Sequence, residues 1–337
     1  MNQFQYIRVT TPKAAVAAVT KDNNSLFLAG GTNLIDLMKR NVMSPEKLVD
    51  INKLPLNTIE KTATGLRIGA LAKNTAVAEH ELVRKNFPLL SMALNAGASP
   101  QLRNMATVGG NMMQRTRCGY FYDTAMPCNK REPGGGCGAI GGYNRMHAIF
   151  GTESSDRLSK CIAVHPSDMC IALVALDATV LVSGPKGERR IPFIDFHRLP
   201  GDAPEKDNTL QKGELIMAVD LPTNSFAENS HYLKVRDRAS YAFALVSVGV
   251  ALNLKGNRAT GRTIQEARLA MGGVAHKPWR LTEVEQFLRG KPATEATFRQ
   301  AADVAMKGAK GYGENDFKLT MAPNTLIDAL KTAAKNA

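Results

Sequence analysis

The sequence predicts an α+β protein assembled in three successive parts, and three observations carry that prediction. The chain has 337 residues, more than one domain of about 100–150 residues accommodates. Residues 1–55 alternate short strands with short helices. The last third runs strands first and helices afterwards, the order of an α+β domain.

In the first part, residues 1–55, "FQYIRV" reads as a strand and "PKAAVAAVTK" as a helix opened by Pro12. "LFLAG" is a strand that ends in glycine. "NLIDLMKR" is a helix that Thr32 or Asn33 can cap, and "KLVDI" is a further strand. Together they make a small βαβ-type unit. The second part, residues 56–223, opens with "LNTIEKT" and "GLRIGALA" as paired strands. Two amphipathic helices follow, "AVAEHELVRKN" and "PLLSMALNAGA", the second led by Pro88. A long irregular loop over residues 117–161 comes next. "PSDMCIALVALDA" is then a nearly all-apolar helix, which predicts burial, and "TVLVSG" and "GELIMAVDLP" are strands. In the third part, residues 224–337, "HYLKVRDRA", "ALVSVGVALNL" and "EARLAMGGVA" are strands of one antiparallel sheet. "LTEVEQFLRG", "TEATFRQAADVAMKGAK" and "NTLIDALKTAAKNA" are helices.

Composition narrows the function classes. Hydrophobic residues at 44% and charged residues at 22% give an ordinary globular balance. No run approaches the roughly 18 apolar residues of a membrane span, so no membrane insertion is expected. The N-terminus lacks a basic segment followed by an apolar one, so no signal peptide of its own is expected. The formal net charge is +13, but the 43 lysines and arginines are spread along the chain without a basic block. That pattern fits a solvated basic surface and argues against nucleic acid as the partner.

Two glycine loops and a group of cysteines are the candidate sites. In "LAGGTNLIDLMK", Leu28 to Lys39, a strand runs into Gly30-Gly31, then Thr32-Asn33, then a helix. Glycine lets backbone approach a ligand closely, and a helix N-terminus offers unpaired N–H groups to a pyrophosphate. A plain strand-to-helix turn is the alternative. "ATVGGNMMQ", Ala106 to Gln114, repeats the glycine-glycine-polar pattern, so two such loops could grip one long dinucleotide from both sides. The GxGxxG of Gly136, Gly138 and Gly141 has neither the preceding strand nor the following helix of a Rossmann fingerprint. "HPSDM" places Ser167 and Asp168 at a helix start, either as caps or as groups that bind a ligand hydroxyl. Lys234, Arg236 and Arg238 alternate along a strand and could line one face toward an anion.

All five cysteines lie between Cys118 and Cys170. Gaps of nine, eight and 23 residues separate Cys118, Cys128, Cys137 and Cys161. No short zinc clip and no compact ferredoxin run is present, so spacing leaves a [4Fe–4S] cluster, zinc and disulfides all open. Cys170 sits in the apolar helix and is assigned to the core. His147 and His165 are nearby and are read as satisfied polar residues rather than ligands.

Five segments in one order carry a resemblance: "AGGTNLIDLMK", "LRNMATVGGNMMQRTRC", "CIAVHPSDM", "GELIMAVDLP" and "KVRDRASYAFALVSVGVAL". The chain resembles, over almost its full length, the FAD-binding subunits of the xanthine dehydrogenase (molybdenum hydroxylase) family. "RCGYFYDTAMPCNKREPGGGC" and "GGVAHKPWR" are similar to the branch formed by bacterial periplasmic aldehyde oxidoreductases, whose FAD subunit carries an extra [4Fe–4S] cluster. The 4-hydroxybenzoyl-CoA reductase beta subunit is the second choice, and a basic iron–sulfur protein that binds nucleic acid is a third, from another class.

The resemblance implies a two-subdomain FAD-binding domain of the PCMH type, residues 1–55 and 56–223, followed by a smaller α+β domain. It implies that Leu28, Ala29, Gly30, Gly31, Thr32, Asn33 and Leu34, with Val108, Gly109, Gly110 and Asn111, hold the FAD diphosphate. Asp168 would bind a flavin-side group, and Ile216 and Lys234 would lie near the isoalloxazine. Cys118, Cys128, Cys137 and Cys161 would ligate the cluster. No residue of this chain would be catalytic. The implied partners are a large subunit with molybdenum-pterin cofactor and a small subunit with two [2Fe–2S] clusters, in a heterotrimer or a multimer of it. Electrons would pass through FAD to an external acceptor. The compartment would be periplasmic by co-export with a partner, or otherwise cytoplasmic.

Overall fold

A computed structural model describes residues 1–152, 160–257 and 261–335. Three sheets, drawn from residues 5–50, 59–222 and 230–280, organise the chain.

The first sheet has the order β1-β3-β2, with β1 Gln5–Arg8, β2 Ser25–Leu28 and β3 Lys47–Asp50 all parallel. Parallel strands need crossovers, and the helices Pro12–Thr20 and Leu34–Lys39 supply them. Thr11 caps the first helix, its hydroxyl accepting the Ala14 N–H at 3.2 Å. The second helix begins after Asn33, but Asn33 does not cap it by side chain; the amide is used elsewhere, as described below.

The second sheet runs β4-β5-β8-β6-β7, all antiparallel. Its strands are β4 Ile59–Thr62, β5 Gly65–Gly69, β6 Thr179–Gly184, β7 Gly187–Pro192 and β8 Leu215–Pro222. The single helix expected over "AVAEHELVRKN" is two, Asn74–Glu79 and Glu81–Asn86, because His80 is extended (φ −62, ψ 131). Helix Asp168–Ala175 is buried at every residue, as its unbroken apolar sequence predicts, and packs against helix Pro88–Ala96. "VGGNM" forms a short helix, Val108–Met112, rather than an open turn, because Thr107 caps it by accepting the Gly110 N–H at 3.2 Å.

The third sheet is antiparallel in the order β12-β11-β10-β9, from β9 Ser230–Val235, β10 Val246–Asn257, β11 Gly261–Gly272 and β12 Trp279–Arg280. Helices Thr282–Leu288, Glu295–Ala305 and Phe317–Lys335 cover it. The last helix begins before the predicted Asn324 and contains Pro323. Burial of Lys318 and Ala322 extends it upstream, and Pro323 removes only one backbone donor.

The loop between the helix Val108–Met112 and Asp168 holds a four-residue helix, Gly119–Tyr122, a bridge between Cys128 and Cys137, and a bridge from Phe150 to Ala275 of the third part among the described residues. Residues 153–159 of the predicted 117–161 loop lie outside the described residues. The loop is pinned to the third part of the chain. Asn144 Nδ2 donates to the Tyr312 carbonyl (2.7 Å), Asn315 Nδ2 to Ala148 (3.0 Å), and Lys318 Nζ to His147 (2.9 Å) and Gly273 (2.7 Å). Phe150 stacks on Trp279 at 5.2 Å. No helix among the described residues is long and apolar enough to cross a membrane.

Candidate functional site

A groove with two lobes opens beside the first and second sheets, its second lobe reaching Lys234 of the third. The first lobe, about 480 Å³, is lined by the whole run 28–34, by Gly109 and Gly110, and by Ile216. The second, about 530 Å³, contains Asn111, Asp168 and Lys234. The lobes share Thr32, Asn33, Ala106 and Gly110, so both glycine loops stand at the waist.

The glycines are needed there for steric reasons. A Cβ on Gly30 would lie 2.2 Å from the Met105 carbonyl oxygen and 3.2 Å from Ala106 Cα, both backbone atoms. Gly31 has φ +72°, in the left-handed region that L side chains disfavour. A Cβ on Gly109 would lie 3.2 Å from the Ala70 carbonyl oxygen. Backbone contact thus demands glycine at position 30, the left-handed φ favours it at 31, and a Cβ at 109 would fit only if its neighbour gave way.

The chemistry around the waist suits an anionic, oxygen-rich ligand. Asn33 Oδ1 accepts the Arg115 backbone N–H at 2.9 Å, which leaves Asn33 Nδ2 as a buried donor without a protein partner among the described residues. Arg103 Nε and Arg117 Nε, both in the second lobe, are also buried donors without a partner among the described residues. Unmatched buried donors are costly, so a ligand that accepts from them gains what the empty protein forgoes. The helix Leu34–Lys39 adds little to that donor set, because the Ile35 N–H donates to the Gly31 carbonyl (3.0 Å) and the Leu37 N–H to that of Asn33 (3.1 Å).

The second lobe is built on Asp168. Ser167 caps the helix, its Oγ accepting the Cys170 N–H at 3.1 Å, and lies 2.6 Å from Asn111 Oδ1. Asp168 Oδ1 accepts from Tyr232 (2.7 Å) and Oδ2 from Lys234 Nζ (2.7 Å). Lys234 also donates to the Ala96 carbonyl at 3.1 Å. Burial, reinforced by the adjacent Asp168 charge, pushes the Tyr232 hydroxyl well above its usual pKa, so it stays a donor. Arg236 shares the Ala96 carbonyl with Lys234, whereas Arg238 donates within its own turn to Ser240 and Tyr241.

The structure therefore brings most predicted dinucleotide residues together, with two differences. Val108 is 1% exposed and packs in the central core, so it holds the loop's helix rather than facing the groove. Ile216 lines the first lobe, whereas Asp168 and Lys234 line the second; Ile216 and Lys234 do not flank one position.

Cys118, Cys128, Cys137 and Cys161 line one narrow cavity beside the groove, together with Lys130 and His147. No disulfide joins the cysteines among the described residues. The Cys128–Cys137 bridge sets two of the thiols side by side, and Cys118 opens the short helix Gly119–Tyr122. His147 Nε2 lies 3.1 Å from Cys118 Sγ. Burial pushes the Cys118 thiol up to about 11, and its neighbours Cys128 and Cys137 add to this. Burial likewise pushes Cys161 up to about 12. Thiols gathered this closely in a desolvated pocket ionise together only when a cationic centre compensates them, which is the chemistry of a metal or cluster site. Cys170 is fully buried in the central core, as predicted, and lies outside this cavity. His165 is not fully satisfied: its Nε2 has no partner among the described residues. It packs on His197 with ring centroids 4.2 Å apart, and burial holds His197 down to about 4.

Sequence reasoning missed three residues that join the cavity to the groove. Lys130 Nζ donates to Asp207 Oδ1 (2.6 Å) and to the Pro204 carbonyl (2.6 Å), and Asp207 Oδ2 accepts from Arg115 Nε (2.7 Å). Burial would raise the Asp207 carboxyl, but Lys130 and Arg115 outweigh it and hold the group well below the usual range. One lysine among 43 basic residues and an aspartate in a turn-like "PEKDN" carry no pattern that marks them in advance.

Comparison with known proteins agrees with this geometry. Residues 2–224 match the family described as FAD binding domain in molybdopterin dehydrogenase, and residues 231–333 match the CO dehydrogenase flavoprotein C-terminal domain. The chain is 47% identical to the aldehyde oxidoreductase FAD-binding subunit PaoB of Escherichia coli, with 100% of each chain covered. It is 29% identical to the glyceraldehyde dehydrogenase medium chain of Sulfolobus acidocaldarius, over 89% of this chain and 86% of the relative. Among solved structures, a carbon monoxide dehydrogenase from Hydrogenophaga pseudoflava superposes with TM-score 0.77 at 23% identity, covering 100% of this chain and 99% of that one.

Proposed function

The chain belongs to the FAD-binding subunits of the molybdenum hydroxylase family, and on that premise we propose that it is the electron-transfer subunit of a molybdenum-dependent aldehyde oxidoreductase. The observation that carries this reading is the two-lobed groove with both glycine loops at its waist. Full-length likeness to the Escherichia coli subunit supports the aldehyde branch. In this reading a large subunit oxidises the aldehyde at a molybdenum-pterin centre, and a small subunit with [2Fe–2S] clusters delivers the electrons.

FAD, when bound, supplies the redox chemistry. The residues of this chain bind and orient it. Gly30, Gly31, Gly109 and Gly110 let the backbone approach the diphosphate, and Asn33 Nδ2 donates to it. Asp168, held by Tyr232 and Lys234, presents fixed charge and hydrogen-bonding capacity to the flavin end. In this reading the isoalloxazine occupies the second lobe, with Asp168 and Lys234, and Ile216 of the first lobe lies toward the adenine end. Cys118, Cys128, Cys137 and Cys161 would hold a [4Fe–4S] cluster, whose four-thiolate ligation matches the four sulfurs of the cavity.

The test is to purify the chain with its co-expressed neighbours and measure FAD, iron and acid-labile sulfide per chain. FAD together with iron beyond that of the [2Fe–2S] clusters is expected. Absence of flavin overturns the functional reading. Cys128→Ser should remove the additional iron and leave both [2Fe–2S] signals; unchanged iron overturns the ligand assignment.

A further inference from the structure

The cysteine cavity and the dinucleotide groove are separate spaces, yet a continuous polar chain joins them. Lys130 lines the cavity and is 2% exposed. Its ammonium reaches Asp207 Oδ1 and the Pro204 carbonyl, each at 2.6 Å. Asp207 and Arg115 line the first lobe of the groove and pair at 2.7 Å. Arg115 also donates its guanidinium to the Glu205 carbonyl at 3.1 Å, and its plane lies over Phe121, 4.8 Å from the ring centre, in the cysteine loop. Its backbone N–H fixes Asn33 Oδ1 at 2.9 Å. That bond decides which way the Asn33 amide faces, and so where its unpartnered Nδ2 points.

We propose that Lys130, Asp207 and Arg115 are positioning residues that couple the cysteine cavity to the dinucleotide groove, so that filling either one tightens the other. The inference rests on the cluster reading given above. A [4Fe–4S] centre with four thiolates is net anionic, and Lys130 stands in its wall with one counter-charge, Asp207, on the far side. An anionic centre in the cavity gives Lys130 a second electrostatic partner and confines it. A confined Lys130 confines Asp207, and Asp207 confines the side chain of the residue whose backbone orients Asn33. Desolvated charges transmit such constraints strongly, because leaving any member unpaired is unfavourable. Linkage makes the effect reciprocal: whatever factor the filled cavity contributes to FAD affinity, bound FAD returns to retention of the cluster.

The experiment is a double-mutant cycle on the complex purified with its co-expressed subunits. Flavin is stripped, FAD is titrated back, and its fluorescence gives Kd, for the wild type, Cys128→Ser, Asp207→Asn and the double variant. Coupling free energies between sites typically correspond to roughly 5–150-fold. We expect Cys128→Ser and Asp207→Asn each to raise the Kd for FAD about tenfold, within that range, and the double variant to stay close to either single one. A Kd unchanged in Cys128→Ser, or effects that multiply in the double variant, overturns the coupling. Iron analysis of the same samples separates the two readings. Iron lost with Kd unchanged overturns the coupling alone, whereas iron retained in Cys128→Ser overturns the cluster reading and the coupling with it. If Asp207→Asn does not assemble, Lys130→Met takes its place in the cycle. Lys130→Arg, which keeps the cation, should respond as the wild type does; a response like that of Lys130→Met overturns the proposal.

Discussion

Replacing Gly30 by alanine tests the geometry of the groove most directly. The added methyl would lie 2.2 Å from the Met105 carbonyl oxygen, 3.0 Å from its carbonyl carbon and 3.2 Å from Ala106 Cα. All three are backbone atoms of the segment that enters the second glycine loop, so no side-chain rotation relieves the clash. The loops must separate instead. Inserting a methyl into close-packed surroundings costs about 1–3 kcal/mol. At about 1.4 kcal/mol per tenfold, FAD binding should weaken by roughly five- to 150-fold if the strain falls on the ligand-bound geometry. Gly249→Ala, outside the groove, is the control, because its methyl would meet only side-chain atoms of Ile171 and Leu89, at 3.5 Å or more. The assay is FAD content after gel filtration together with the Kd from flavin titration. If Gly30→Ala bound FAD as tightly as the wild type, or if Gly249→Ala were the worse of the two, the steric reasoning would be refuted.

Other outcomes follow from the same structure. Asp168→Asn leaves the Lys234 ammonium, 4% exposed, without its counter-charge, and loss of one partner of a buried pair should destabilise by about 3–5 kcal/mol; an unshifted melting curve would sink this. Cys170→Ala should leave iron content unchanged and lower stability by about 1 kcal/mol, the effect of a small cavity in the core; iron loss would move Cys170 into the ligand set. Burial holds Lys318 down to about 7, against an ordinary lysine pKa of about 10.4. Between those values the unfolded chain holds a proton that the folded chain lacks, so stability should rise as pH rises from about 7 toward 10. Melting temperatures at pH 7 and 9 check this, and Lys318→Met should flatten the dependence.

Local signals were legible where one segment both defines and uses them. "PKAAVAAVTK" has its start marked by Pro12 and the preceding Thr11, and "MCIALVA" is buried because no residue on any face is suited to water. That "VGGNM" is helical was not legible in its two glycines, because the cap that makes it so lies one residue upstream in Thr107. His80 breaks a helix whose apolar spacing continues through it, so periodicity alone could not place the break. The glycine loops and the four cysteines were visible as types and spacings. Their junction was not: Lys130 and Asp207 are 77 positions apart, and Arg115 and Asp207 are 92 apart. Only tertiary structure brings such residues together, and none of them belongs to a recognisable spacing. Ile216 and Lys234 fall in separate lobes for the same reason, since linear motifs do not say which end of a groove each strand reaches.

The pins on the cysteine loop bear on when the protein can be completed. Asn315 holds the Ala148 carbonyl and Lys318 the His147 carbonyl, across 167 and 171 positions of chain. During synthesis the N-terminal parts emerge and fold first. The glycine loops of the groove are present well before the final helix exists, but the backbone of His147, whose ring lies beside Cys118, gains its bonds to Asn315 and Lys318 only when the end of the chain has docked. On the proposed cluster reading, loading of the thiol cavity therefore follows synthesis of the whole chain, and a chain cut short before Asn315 should lose these pins and retain less iron.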